Sequence, residues 1–155
     1  MKVTVFLNDD LYLAKGFTIS ADKTLLNFNF IYDFLDNQSY WAKGISEEKL
    51  QKAIENSVCF GLYHDEQQIG FARVITDQST FAYLADVFII SDFRKQGLSK
   101  WLMQTILAFA DFQDIRRWLL ATADAQNLYA KFGFEPLNNP DRFMQIFTPY
   151  PILKK

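Results

Sequence analysis

The chain predicts a mixed α/β (α+β) domain, a mostly antiparallel central sheet of about six strands flanked by about four helices. Three stretches carry that expectation. Ser57–Tyr63 and Ile69–Ile75 are apolar runs on either side of the polar turn His64-Asp65-Glu66-Gln67-Gln68, a hairpin pattern. Phe81–Ile90 is a nearly unbroken apolar run, as expected of a central strand covered on both faces. Leu98, Trp101, Leu102, Thr105, Ile106 and Phe109 fall on one continuous helical face.

The remaining elements follow in order. Residues 1–16 read as a loose strand or as a tail ending at Gly16. Phe17 to Ser20 reads as a short strand. Leu26, Phe30, Ile31 and Phe34 form a helical stripe over about Leu25 to Leu35. A polar and aromatic connection, 37–44, leads to a second helix with Ser46 as N-cap. Glu47 and Glu48 sit in its first turn, where the helix dipole favours acids. After the long helix, Trp118–Ala121 reads as a strand and Asp124–Lys131 as a short helix stopped near Gly133. Phe143–Phe147 reads as a last strand, serving either the core or a homodimer interface.

At 155 residues the chain fits a single domain over 1–155, and 50% apolar with 17% aromatic residues is ample for one core. A net charge of -2 gives no global pull toward nucleic acid or an anionic membrane, so an anion must be held by a local site. Cys59 is the one cysteine, so no internal disulfide can form. No apolar run approaches the ~18–20 residues of a membrane helix. A cytoplasmic location is expected. No His, Cys or Asp cluster has metal spacing, so no metal is expected.

The loop Arg94-Lys95-Gln96-Gly97-Leu98-Ser99 joins the long strand to the long helix. Backbone amides at a helix start attract anions. Gly97 lacks a Cβ, so a phosphate can approach; Arg94, Lys95 and Lys100 add positive charge; and no capping side chain precedes Gly97. On these features alone the loop reads equally as an ordinary turn with solvated basic residues. No Walker or dinucleotide glycine pattern occurs. Arg94-x-x-Gly97-x-Ser99, however, resembles the Q/R-x-x-G-x-G/A signature of the GNAT superfamily of acyl-CoA-dependent N-acyltransferases, with Ser99 in place of Gly or Ala. About 30 residues on, Leu128-Tyr129-Ala130-Lys131-Phe132-Gly133-Phe134 resembles the family's L-Y-x-K-x-G-F signature. The resemblance covers roughly Phe17 to Phe147.

That resemblance implies acetyl-CoA as acyl donor and an amine as acceptor. It implies that residues 94–100 hold the pyrophosphate and that Phe88, Ile89 and Ile90 of the preceding strand bind the pantetheine arm. It implies Tyr129 as general acid to the leaving thiolate, a phenol being able to donate to sulfur. Thr122 stands where the family often has Asn; Asn127 is nearby but out of register. Asp86, the lone charge within Phe81–Ile90, is the candidate base, since a buried acid must be paired or do chemistry. Its alternative is a structural hydrogen-bonding role. Tyr40 and Trp41, with Asp33, are candidates to line the acceptor pocket, or the aromatics simply cover the core. Glu47 and Glu48 are weaker base candidates, His64 reads as solvated, and Cys59 reads as core. The competing functional readings are a non-catalytic acyl-CoA-binding regulatory module and a tRNA-directed acetyltransferase, the latter needing a basic face that this chain does not offer.

Overall fold

The hairpin at the centre of the chain sets the sheet. In the computed structural model, which describes residues 9–151, β2 (Val58–His64) and β3 (Gln67–Thr76) pair antiparallel around the two-residue turn Asp65-Glu66, tighter than the five-residue turn that the polar run suggested. Asp65 takes a positive φ of 52°, which lets so short a turn close. β1 (Phe17–Ser20) pairs with β2 on one side, and β4 (Phe81–Ile89) pairs with β3 on the other, both antiparallel. β5 (Arg117–Leu120) completes the order β1-β2-β3-β4-β5 and is parallel to β4.

Alternation along the strands sends side chains to opposite faces. Cys59 and Phe71 join one core with Ile31, Leu35 and Leu50 of the N-terminal helical layer. Their neighbours Phe60 and Ala72 join the other core with Leu102 and Ile106 of the long helix, α4 (Leu98–Leu107). The face expected for that helix is the face it buries.

The helical layer departs from expectation at its start. Lys23–Leu25 forms a single tight turn, and α2 (Phe28–Asp33) begins only after Asn27, whose side chain accepts from the Phe30 amide. The local cap overrides the apolar stripe that begins at Leu26. Phe34–Gln38 then widens into a π-turn, and Ser39 Oγ donates to the Leu35 carbonyl. α3 (Glu47–Glu55) starts as expected, with Ser46 Oγ accepting from the Lys49 amide. α5 (Gln126–Ala130) ends toward Gly133 at φ 94°.

Three expectations are corrected. Residues 9–14 form a short helix, α1 (Asp9–Ala14), where a strand or tail was read; residues 1–8 lie outside the described residues. With it the described residues hold five α-helices. Among the described residues the sheet has five strands, because Phe143–Phe147 pairs with none of them. After a turn over Pro140–Arg142 the segment is irregular and exposed through Pro149, Tyr150 packs against the N-terminal helical core, and the Pro151 carbonyl lies over Gly44. No helix among the described residues is long and apolar enough to cross a membrane.

Candidate active site

β4 and β5 pair only from Phe81↔Arg117 to Leu84↔Leu120. Beyond that point β5 ends, while β4 continues to Ile89 against β3. The sheet therefore splits, and the β5-facing edge of residues 85–89 lines a slot. Within it β4 bulges: Arg73 pairs with Ala85 and Phe71 with Phe88, so Asp86 and Val87 together face Ala72. Asp86 sits at φ 56°, an uncommon conformation for a non-glycine residue, and the bulge redirects its side chain.

The redirected carboxylate is held from two directions. Arg73 Nε donates to Oδ2 at 2.8 Å and Trp41 Nε1 donates to Oδ1 at 2.9 Å. Arg73 in turn donates to Ser57 Oγ at 3.1 Å. Asp86 is only 8% exposed at its side chain, so the ion pair is largely withdrawn from water. Phe88 and Ile89 bury their side chains in the cores, leaving the strand edge as what they can offer the slot; the Ile90 amide donates to the Ile69 carbonyl.

At the end of β4 the chain makes the anion loop. Arg94 folds back, its Nε donating to the Ile89 carbonyl at 2.7 Å. Lys95 takes a φ of 65° and Gly97 a φ of 81°, and Gly97 is the N-cap of α4. No side chain caps this helix and no acid lies in its first turn, so the first amides, from Leu98 through Lys100, have no intrahelical acceptor. Arg94, Lys95, Gln96 and Lys100 are exposed and Ser99 half-buried. Gly97 has a reason for being glycine that the sequence did not reveal. A Cβ there would lie 2.6 Å from Tyr12 Oη, and Tyr12 also stacks on Trp101 at 4.6 Å between ring centres. Trp101 Nε1 donates to the buried Asp9. Thus α1 is clasped over the start of α4.

Tyr129 lies on α5, buried and edge-on to Phe134 at 6.0 Å. Thr122 Oγ1 accepts from the Ala125 amide at 3.0 Å and so starts that helix. Burial pushes the Tyr129 phenol up from its ordinary pKa, and the neighbouring Tyr40 and Asp124 add to the shift. Its hydroxyl makes no hydrogen bond to another described residue. Asn127 is exposed and, with Thr122 and Tyr129, lines a cavity of about 950 Å³ on the outer side of β5.

Tyr40 and Trp41 link the walls of the slot. Tyr40 Oη accepts from the Ala123 amide, just past β5, at 3.0 Å, while Trp41 reaches Asp86 on β4. Both rings are substantially exposed. Tyr129, Tyr40, Trp41 and Asp86 are therefore brought together. Asp33 is not: it is exposed on α2 and accepts from Asn37 Nδ2 at 2.7 Å. Arg73 was missed, although a basic residue inside the apolar run beside the run holding Asp86 was a legible signal. Tyr12 had no signal in an ambiguous segment. Glu47 and Glu48 are exposed in their helix turn. His64 is not simply solvated; its ring packs on Phe17 at 4.7 Å and Phe93 at 5.3 Å. Cys59 is core, with burial pushing its thiol up to about 11. Among the described residues no group of three His, Cys, Asp or Glu side chains gathers to hold a metal ion.

Comparison with known proteins places this geometry in a family. The sequence model of the acetyltransferase (GNAT) family matches residues 28–134. The chain is 30% identical over 135 residues to the Gibberella zeae protein named "Putative acetyltransferase FG08082", covering 74% of this chain and 76% of that one. The crystal structure of a GNAT-family protein from Xanthomonas campestris pv. campestris superposes with a TM-score of 0.85 at 42% identity, over 89% of this chain and 97% of that one. A GNAT-family acetyltransferase from Elizabethkingia anophelis, solved with acetyl-CoA bound, shares the fold at 14% identity, with a TM-score of 0.60 over 86% of this chain and 89% of that one. This chain belongs to the acetyltransferase (GNAT) family.

Proposed function

We propose that the chain transfers an acetyl group from acetyl-CoA to a primary amine of a small molecule or peptide, by direct attack within the slot where β4 and β5 part. Support for the donor comes from the chain's own groups. The uncapped amides from Leu98 to Lys100, with Arg94, Lys95 and Lys100 around them, suit a pyrophosphate. Gln96 and Ser99 add polar groups to the same loop. The edge of β4 at Phe88 and Ile89, which has no strand beside it, and Ile90 just past it suit a pantetheine amide chain, with the Ile89 carbonyl already accepting from Arg94, and Asn127 offers a polar side chain from α5. Bound acetyl-CoA supplies an activated thioester carbonyl and a thiolate leaving group; the same donor is bound in the Elizabethkingia anophelis relative.

The observation that carries the reading is Tyr129, a buried residue beside Tyr40 whose phenol is held protonated and whose hydroxyl bonds to no other described residue. In the proposed reaction Tyr129 gives its proton to sulfur as the C–S bond breaks. Asp86 accepts a proton from the amine nitrogen as the N–C bond forms. Arg73 and Trp41 engage one lone pair on each Asp86 oxygen, which leaves further acceptor sites on a carboxylate of fixed orientation. Tyr40 and Trp41 wall the acceptor side and offer ring faces to an ammonium group. Asp33 adds negative charge to the helical layer from outside that contact set.

Thiol release from acetyl-CoA, followed across a panel of amines, tests this function. Tyr129→Phe is expected to lower kcat by about 10²-fold or more while leaving the KM for acetyl-CoA nearly unchanged. The pH profile adds a second readout. The rate should rise as the amine loses its proton, and the raised Tyr129 pKa should keep it from falling before about pH 10. An unchanged kcat in Tyr129→Phe would remove the tyrosine from the reaction.

A further inference from the structure

Tyr40 and Trp41 are adjacent in the chain, yet their polar atoms end on opposite walls of the slot. Tyr40 Oη meets the Ala123 amide past β5, and Trp41 Nε1 meets Asp86 Oδ1 on β4. The backbone that carries them is fixed on both sides. Before them the Ser39 amide closes the π-turn on the Phe34 carbonyl. Ser39 is buried, and its Oγ donates to the Leu35 carbonyl and accepts from the Ala42 amide. After them Ala42 is buried, and the Gly44 amide donates to Asp36 Oδ1 at 2.9 Å. The two rings meet edge to face at 5.0 Å between centres. Their polar ends therefore leave an anchored connection at a set spacing.

Each polar end leads to a group of the proposed reaction. On the β5 side, the residues past Leu120 lie beyond the strand pairing. Thr122 Oγ1 ties to the Ala125 amide, and the Ala125 carbonyl accepts from the Tyr129 amide at 3.3 Å. Holding Ala123 thus holds the turn from which α5 starts, and α5 carries Tyr129. Tyr40 is also near enough for its charge to bear on the buried Tyr129 phenol. On the β4 side, the bulge takes Asp86 out of the regular ladder, and Arg73 engages Oδ2. Trp41 engages the other oxygen, and the two donors together fix the rotation of the carboxylate.

We propose that Tyr40 and Trp41 are a positioning pair that sets acid against base across the split sheet, Tyr40 placing Tyr129 by way of Ala123 and Trp41 placing Asp86 directly. This inference rests on the reaction proposed above and adds a task to the wall-forming one given there. A residue that only walls the acceptor side acts on amine binding. A residue that orients the reacting groups acts on turnover, where a misplacement of about 1 Å can cost on the order of 10²-fold.

Initial rates with acetyl-CoA and the amine that the native chain turns over fastest test the pair. Tyr40→Phe and Trp41→Phe should each lower kcat by at least about tenfold, with both KM values within about threefold of native. Tyr40→Phe should cost less than about twofold more in a Tyr129→Phe chain, and its full factor in an Asp86→Asn chain; Trp41→Phe should do the reverse. Far-UV circular dichroism should not change, because each variant keeps a ring at a position that is 58% or 40% exposed. A readout without catalysis is the exchange of the Ala123 amide by NMR, which should speed up by about tenfold in Tyr40→Phe. Unchanged Ala123 exchange overturns the proposal. So does a raised amine KM at native kcat, or a loss from each ring variant that is equal in the Tyr129→Phe and Asp86→Asn backgrounds. A native chain that acetylates no amine, or a Tyr129→Phe chain as fast as native, overturns the reaction itself and the pair with it, and is told apart because it shows before either ring is changed.

Discussion

Asp86 and Arg73 are a charged pair set in the middle of two apolar strands, and their energetics differ from those of a surface bridge. Each side chain is largely desolvated, so removal of one leaves the other buried and unpaired. Asp86→Ala is expected to lower unfolding free energy by about 3 kcal/mol in urea titrations, because Ser57 alone remains to hold Arg73. Replacing both, as Arg73→Met with Asp86→Leu, should recover most of that stability while leaving turnover abolished. If the double variant acetylated amines at the native rate, the carboxylate would have no part in the chemistry. The sequence made Asp86 conspicuous as the lone charge in its run. It did not disclose the bulge, since a left-handed aspartate has no compositional mark, nor that Trp41, 45 residues away, would hold the carboxylate. The signature around Tyr129 was legible because it is continuous in sequence, beginning in α5 and ending at Phe134.

Elements that close on their own residues were the legible ones. Ser46 caps α3, one face of α4 is buried, and the hairpin pairs as its flanking runs imply. The apolar stripe before α2 misled because Asn27 supplies a stronger local signal than Leu26. Phe143–Phe147 misled because alternation and β-propensity identify an extended segment, not its partner. Turn chemistry gives a prediction at this scale. In the β3–β4 turn the Asp77 carboxylate accepts from the Thr80 hydroxyl and from the amides of Ser79, Thr80 and Phe81, which hold its carboxyl far below the usual range. An acid depressed in this way contributes stability above its unfolded pKa of about 3.9, and the contribution fades as pH falls toward the folded value. Asp77→Ala should therefore melt at lower temperature than the native chain by a gap that is constant from pH 5 to 8, as an approximate window, and that narrows below about pH 4. A gap that persisted undiminished at pH 2 would assign the effect to something other than this carboxylate.

At the scale of the whole molecule the split sheet is the organising fact. The two cores lie on opposite faces of β2–β4, and they come together past Leu84 through the Tyr40–Trp41 connection and the bulge at Asp86. A ligand seated in the slot would touch the edge of β4, the start of α4 and α5, elements from both sides of the split. Binding there should stabilise the fold as a unit. Acetyl-CoA at a hundredfold excess over its Kd adds about 2.7 kcal/mol if it binds only the native state. For a chain of this length that corresponds to a Tm rise of roughly 5–10 °C in calorimetry. Gly97→Ala provides the control, since it adds a Cβ 2.6 Å from Tyr12 Oη at a φ of 81°. That variant should lose some native stability, by about 1–2 kcal/mol, through strain at the loop. It should lose still more of the ligand-induced rise, because the displaced loop carries the amides that we assign to the pyrophosphate. A Gly97→Ala chain with a lowered Tm but a full acetyl-CoA increment would show that α1 is clasped over a helix start that takes no part in binding.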